Sequence, residues 1–313
     1  MKKISIFLII FLFFMNVCYA KKFVKLPNDV GSGSKFYKSL TGKGYKKYGF
    51  QIVNKEDGHP VRAGSLSIRF EVRQGDCGKD SDGSWSDCKN DRERHELSGG
   101  DSSMSSGEHW FSWSIYFPED HKNLYPLSNA FGQFHQKEGN PIFMFKELKD
   151  GYSIVRTITD KDEDYNQKNL LNNNEVLGKW FDILINVKWT KKKDGFFKIW
   201  INDELKYNYV GPTKSKSKVY QKFGVYRTGI TRYLNYINLD KIEKCFNEKG
   251  KTTPKEDKAL RKLKKKKYPG HKTSINIYKK CKSYYESNEV PTTVIYFDEV
   301  RRGKTKDKVG VFK

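Results

Sequence analysis

The chain has 313 residues, with 60 Lys and Arg against 37 Asp and Glu, for a formal charge of +23 at neutral pH. That length suits one large all-β domain or two smaller ones, and the charge points to polyanionic partners: nucleic acid, an acidic surface or an acidic polysaccharide. No run after residue 20 is apolar enough for a membrane helix, which excludes a helical membrane protein.

Residues 1–20 read as a signal peptide. Lys2 and Lys3 form a positive start, residues 4–15 are apolar, and Cys18-Tyr19-Ala20 supplies small residues for cleavage after Ala20. The expected mature protein, residues 21–313, is a single exported domain, periplasmic or secreted. Without Cys18 four cysteines remain: Cys77, Cys88, Cys245 and Cys281. An even number in an exported chain predicts two disulfides, and Cys77–Cys88 with Cys245–Cys281 is the simplest of three pairings. Zinc is the rival reading, but no pair has the close spacing of a zinc knuckle.

Residues 21–60 are rich in Gly and Lys, with a first strand expected over 48–53. Residues 65–73 (SLSIRFEVR) alternate well, setting Leu66, Ile68, Phe70 and Val72 on one face of a half-buried antiparallel strand. After a polar loop bounded by Cys77 and Cys88, residues 92–97 set Arg92, Arg94 and Glu96 together. Further strands are expected at 110–117, 133–135, 142–145, 180–189, 196–201, 205–209, 220–226 and 293–300. Lys191-Lys192-Lys193-Asp194-Gly195 reads as a hairpin turn. Short alternating strands without a βαβ rhythm predict an antiparallel sandwich or jelly roll.

Residues 240–290 break this pattern as a Lys-rich helical insertion. Thr253-Pro254-Lys255-Glu256 is a capping box with Pro at the first helical position, opening a helix that runs into Lys264-Lys265-Lys266-Lys267. A second helix is expected over 275–285, with Cys245 and Cys281 clipping the insertion's ends. Its lysines fit a solvated face as well as a polyanion-binding one.

Three strands offer polar residues at strand spacing: Arg94 with Glu96, Gln133 with His135, and Lys222 with Tyr226 across Gly224. If they are neighbours they floor a groove, with Gly224 expected to leave open space where substrate approaches backbone. Each residue alone has an ordinary reading as a surface or ion-paired side chain.

At these residues the chain resembles a known group. Arg94-His95-Glu96-Leu97, Gln133-Phe134-His135 and Tyr220-Gln221-Lys222-Phe223-Gly224-Val225-Tyr226 are similar to the signature strands of jelly-roll alginate lyases. The wider pattern resembles the glucuronan-lyase and heparin-lyase-like group. It includes Arg69-Phe70-Glu71-Val72-Arg73-Gln74-Gly75-Asp76, Trp113-Ser114-Ile115-Tyr116-Phe117-Pro118, and Tyr296-Phe297-Asp298-Glu299-Val300-Arg301-Arg302-Gly303. His95, Gln221 and Arg227 depart from the usual residues, and the 240–290 insertion has no matching counterpart.

The resemblance implies a concanavalin A-like β-jelly-roll and a lyase that cleaves a glucuronan-, alginate- or heparin-like polymer by β-elimination. It implies that Arg94 and Gln133 neutralise the uronate carboxylate, that His135 is the base, and that Tyr226 is the acid, or both acid and base. Lys222 and Arg73 are assigned to neighbouring carboxylates and Arg227 to substrate binding; His59 is placed at the groove from an earlier loop. No cofactor is required, although related sandwiches can carry a structural calcium ion. The expected protein is a monomer that meets acidic polysaccharide rather than nucleic acid or membrane. The competing reading is a lectin-like module that binds acidic polysaccharide without cleaving it. A glycoside hydrolase would need two carboxylates flanking the bond, and no Glu-x-Asp-x-x-Glu strand is present.

Overall fold

A computed structural model describes residues 23–31, 34–40, 44–79, 84–99, 104–158, 166–216, 218–249, 253–265 and 269–310. The expected signal peptide, its cleavage site, and Lys266 and Lys267 lie outside these residues. Among the described residues, fifteen strands form two antiparallel sheets. The eight-stranded sheet runs β1 (Phe23–Lys25), β2 (Lys35–Lys38), β5 (Arg92–Ser98), β14 (Val219–Thr228), β7 (Ser128–Gln136), β8 (Pro141–Leu148), β9 (Gly151–Arg156) and β10 (Asn166–Asn172). The seven-stranded sheet runs β13 (Glu204–Val210), β12 (Phe196–Ile201), β11 (Trp180–Trp189), β6 (Gly107–Tyr116), β15 (Thr293–Gly303), β4 (Leu66–Val72) and β3 (Phe50–Asn54). The jelly-roll expectation therefore holds as a two-sheet antiparallel sandwich.

Alternation decides which side chains fill the space between the sheets. In β4, Ile68, Phe70 and Val72 are fully buried, and β14 answers with Phe223 and Val225. Phe70 and Phe223 meet edge-to-face at 5.6 Å, as do Phe111 and Phe134 at 4.9 Å and Trp113 and Phe145 at 5.0 Å. Each such side chain contributes about 1.5–3 kcal/mol of burial, and edge-to-face pairs add to that. This packing has a functional consequence. Phe223 and Val225 pin β14 to the core, and a strand pinned on one face must present its alternate residues on the other.

Among the described residues six α-helices accompany the sheets: single-turn α1 (Asn28–Gly31) and α2 (Asn173–Val176), then α3 (Ile230–Ile237), α4 (Leu239–Glu248), α5 (Pro254–Lys264) and α6 (His271–Cys281). The last four have their own core of Leu234, Ile242, Phe246, Leu263 and Ile277, packed on Leu124 and Leu127 from the β6–β7 connection. The Thr253 capping box forms as expected, with Thr253 Oγ1 accepting from the Glu256 N–H and Glu256 accepting from the Thr253 N–H. The helical body starts at Ile230, ten residues before the expected boundary. Ile230, Leu234 and Ile237 already carried helical spacing there. Both disulfides form in the simplest pairing. Among the described residues no helix is long and apolar enough to cross a membrane.

Candidate active site

β14 lies between β5 and β7, so the three strands singled out from sequence are adjacent. Tyr226 stands opposite Arg94 on one side and Ala130 on the other; Lys222 stands opposite Ser98 and Gln133; Tyr220 stands opposite His135. All face away from the sandwich core. The register against β7 shifts between Phe223 and Tyr226, where β14 carries one extra residue at Gly224–Val225.

Gly224 has a different purpose from the one expected. Its φ is +128°, and a Cβ there would stand 2.4 Å from the His95 carbonyl oxygen and 2.8 Å from Glu96 Cα. The glycine is required by the bulge and by close approach to β5, not by open space for substrate.

Glu96 is the centre of the floor. It is 1% exposed, and its oxygens accept from Gln133 Nε2 at 2.5 Å, Lys222 Nζ at 2.9 Å and Arg94 Nη1 at 3.3 Å. Asp87 holds Arg94 from the other side in a two-pronged grip, Nε to Oδ2 and Nη2 to Oδ1, both at 2.6 Å. Asp87 is fully buried, precedes the disulfide-bonded Cys88, and also accepts from Trp85 Nε1. These carboxylates hold the Arg94 guanidinium charged and flat over the Tyr226 ring, 4.1 Å from its centroid. Gln133 Oε1 is buried with no hydrogen-bond partner among the described residues. An unpaired carboxamide oxygen costs about 1–3 kcal/mol, a deficit that a ligand hydroxyl would remove.

Tyr226 Oη accepts a 2.5 Å hydrogen bond from Arg92 Nη1. Burial pushes the phenol up, while Arg94 and Arg92 pull it back. His135 lies 2.7 Å, through Nδ1, from the Gln136 carbonyl oxygen. A carbonyl only accepts, so Nδ1 carries the hydrogen and Nε2 keeps the lone pair. The ring stacks on Tyr220, whose hydroxyl lies 3.2 Å from the same Nδ1. Burial, with help from Lys222, lowers His135 to about 4, so it is neutral near neutral pH. Burial also lowers Lys222, against the pull of Glu96. The Gln136 side chain accepts from the backbone N–H groups of Ser215 and Lys216, fixing the rim beside His135.

Arg94, Gln133, His135, Lys222 and Tyr226 are thus brought together. Three other expected site residues are not. Arg227 follows Tyr226, so it faces inward; it is fully buried, bonded to Glu93, the Pro291 carbonyl and Thr293. Arg73 follows the end of β4 in the other sheet, paired with Glu71 and stacked 4.0 Å over Tyr48. His59 sits on the outer face of that sheet, its Nδ1 3.1 Å from Tyr296 Oη. Sequence reasoning assigned no role to Asp87 or Arg92, although Arg92 shares the alternation of Arg94. Among the described residues, no group of three or more His, Cys, Asp or Glu could hold a metal ion.

Among solved structures, a fungal endo-β-1,4-glucuronan lyase from Trichoderma reesei is 14% identical, with 83% of this chain and 88% of that chain covered and a TM-score of 0.48. An alginate lyase of polysaccharide lyase family 7 is 15% identical, covering 89% of this chain and 97% of that one at a TM-score of 0.45. No curated protein sequence matches the chain. The family model described as polysaccharide lyase matches residues 46–243, a span that includes all three groove strands and most of the sandwich. The chain belongs to the polysaccharide lyase family.

Proposed function

We propose that the chain is an exported enzyme that cleaves a uronic-acid-containing polysaccharide, of the glucuronan, alginate or heparin kind, by β-elimination. The observation that carries this reading is the meeting of Arg94, Gln133, His135 and Tyr226 on one face of three adjacent strands.

The reaction removes the proton at C5 of a uronate, breaks the C4–O bond and forms a C4=C5 double bond. The C5–H is a poor acid while the neighbouring carboxylate is charged, since the carbanion would add a second negative charge. Arg94 and the second N–H of Gln133 bind that carboxylate and hold the developing enolate, as preorganised donors do. Glu96 and Asp87 fix both donors in place, so little reorganisation is needed at the moment of reaction.

His135 Nε2 takes the C5 proton, and Tyr226 gives its proton to the departing O4. Arg92, already donating to the phenol oxygen, stabilises the phenolate left behind. Lys222 balances Glu96 so that the floor does not repel an anionic polymer.

The test is incubation of the full chain with glucuronan, alginate and heparin while following the ultraviolet absorbance of the unsaturated product. A rise with at least one polymer, and a product with an unsaturated non-reducing end, is expected. Binding without any rise would replace this reading with the lectin-like one.

A further inference from the structure

Beyond the floor already described, the row that contains Tyr226 continues across the sheet. Arg94, Tyr226, Ala130 and Lys146 stand side by side on β5, β14, β7 and β8. Tyr226 and Lys146 are two inter-strand spacings apart, about 10 Å. The side chain between them is only the Ala130 methyl, itself 2% exposed, so the gap between the two long side chains is covered by their neighbours. Lys146 is half-buried at its far side.

Two arginines flank this gap. Arg92, on β5, reaches Tyr226 Oη and lies 4.7 Å from the Trp85 ring centroid. Arg232 comes from α3, the first helix of the helical body and one that lies within the span matched by the family model. Its placement is built, not incidental. Asp91, immediately before Arg92, caps α3 by accepting from the Thr231 N–H at 2.9 Å and the Thr231 hydroxyl at 2.8 Å. The Gly229 N–H bonds the Asp91 carbonyl. The Arg232 guanidinium lies against Gly229, so close that a Cβ there would stand 3.0 Å from its Nη2. One residue thus ties the strand that carries Arg92 to the helix that carries Arg232.

The charges are not balanced. Among the described residues Arg92, Lys146 and Arg232 make no ion pair, and Arg232 Nε is buried with no acceptor. Asp91, the nearby carboxylate, has its oxygens engaged by Thr231 and approached by His271 at 3.7 Å. Burial lowers Lys146 to about 8, with Arg232 and Arg92 near enough to add to the shift. Cations crowded beside a partly desolvated gap repel one another until an anion enters.

We propose that Arg92, Lys146 and Arg232 form a second oxyanion subsite, completed by α3, that takes the carboxylate or sulfate of the sugar residue next to the one cleaved. This rests on the lyase reading, with Tyr226 marking the scissile bond. It makes the enzyme selective for polymers that carry an acidic group on successive sugars.

The experiment compares wild type with Arg232→Gln, Lys146→Gln and Arg232→Lys in the full chain. Substrates are a homouronate oligosaccharide, its partly carboxyl-reduced counterpart, and a sulfated heparin oligosaccharide. For the acidic oligosaccharides the two Gln variants should raise KM about tenfold, the size of one lost charge-assisted hydrogen bond. The change in kcat should stay within about threefold, and Arg232→Lys should recover part of the loss. A penalty confined to sulfated ligands assigns sulfate; one seen with plain uronates assigns carboxylate. Equal KM for wild type and both Gln variants on every substrate, with unchanged melting temperature, overturns the subsite. So does a penalty as large on the reduced oligosaccharide. Direct oligosaccharide titration in the same variants needs no turnover. If wild type cleaves nothing but the Gln variants still bind acidic oligosaccharide more weakly, the lyase reading fails and the subsite stands.

Discussion

The two sheets turn polar faces outward that are similar in composition and opposite in arrangement. On the seven-stranded sheet the charges around Asp182, Asp298 and Glu71 close locally. Arg62 grips Asp182 at 2.7 Å, Ser114 donates to the same carboxylate, and Asp298 accepts from the backbone N–H groups of Arg62, Ala63 and Glu299. Arg69 pairs with Glu71, and His59 leans on Tyr296. These bonds fasten the loop after β3 to the sheet and leave little for a ligand. On the eight-stranded sheet one carboxylate, Glu96, is shared by three donors, and among the described residues neither Gln133 Oε1 nor Arg232 Nε on the adjoining α3 has a partner. Buried polar groups are normally satisfied, and the unpaired Gln133 Oε1 beside the shared Glu96 is the exception that faces the groove. Polar content alone does not distinguish the faces; incomplete pairing does.

That contrast can be broken by substitution. Tyr226→Phe should lower turnover about 10³- to 10⁴-fold with the fold intact by circular dichroism, the range for a lost proton-transfer group. Retained turnover would remove Tyr226 from the chemistry. Gln133→Leu should cost about 10²- to 10³-fold in kcat, as losing a preorganised donor does. Arg227→Met tests the inward side of the same strand: it leaves Glu93 buried without its cation and should cost about 3–5 kcal/mol in denaturant unfolding. Oligosaccharide affinity of the folded molecules should not change. His59→Ala, on the opposite sheet, should alter turnover less than about twofold and stability by about 0.5–1.5 kcal/mol.

The pH profile sharpens the comparison further. His135 is lowered from 6.5 to about 4, so its neutral, proton-accepting form persists to about pH 4. The acid limb of kcat/KM should therefore fall through about pH 4; a limb near 6.5 would mean a hydrated ring. The linkage has a definite sign. Between pH 6.5 and 4 the unfolded chain binds a proton that the folded chain refuses, so this burial costs stability progressively as pH falls through that window.

Much of this was legible in the chain. The alternation in residues 65–73, the Thr253 cap and the cysteine pairing rest on local chemistry and appear as expected. The face shared by Lys222 and Tyr226 follows from strand parity, and the same parity places Arg227 inside; assigning it to substrate ignored a rule already in use. Asp87, Lys146 and Arg232 were not legible, because they meet the site only through strand order and helix placement. The Ala130–Lys146 and Tyr226–Arg94 registers are long-range pairings that no local pattern encodes. Gly224 shows the limit from the other direction, since its neighbours across the ladder, not its sequence context, require it.

The loop that grips Arg94 is closed by a covalent bond. Asp87 stands next to Cys88, whose partner Cys77 lies eleven residues earlier. The Asp87 N–H also bonds the Gly78 carbonyl at 2.9 Å, so the disulfide and the backbone together brace the carboxylate that aims Arg94.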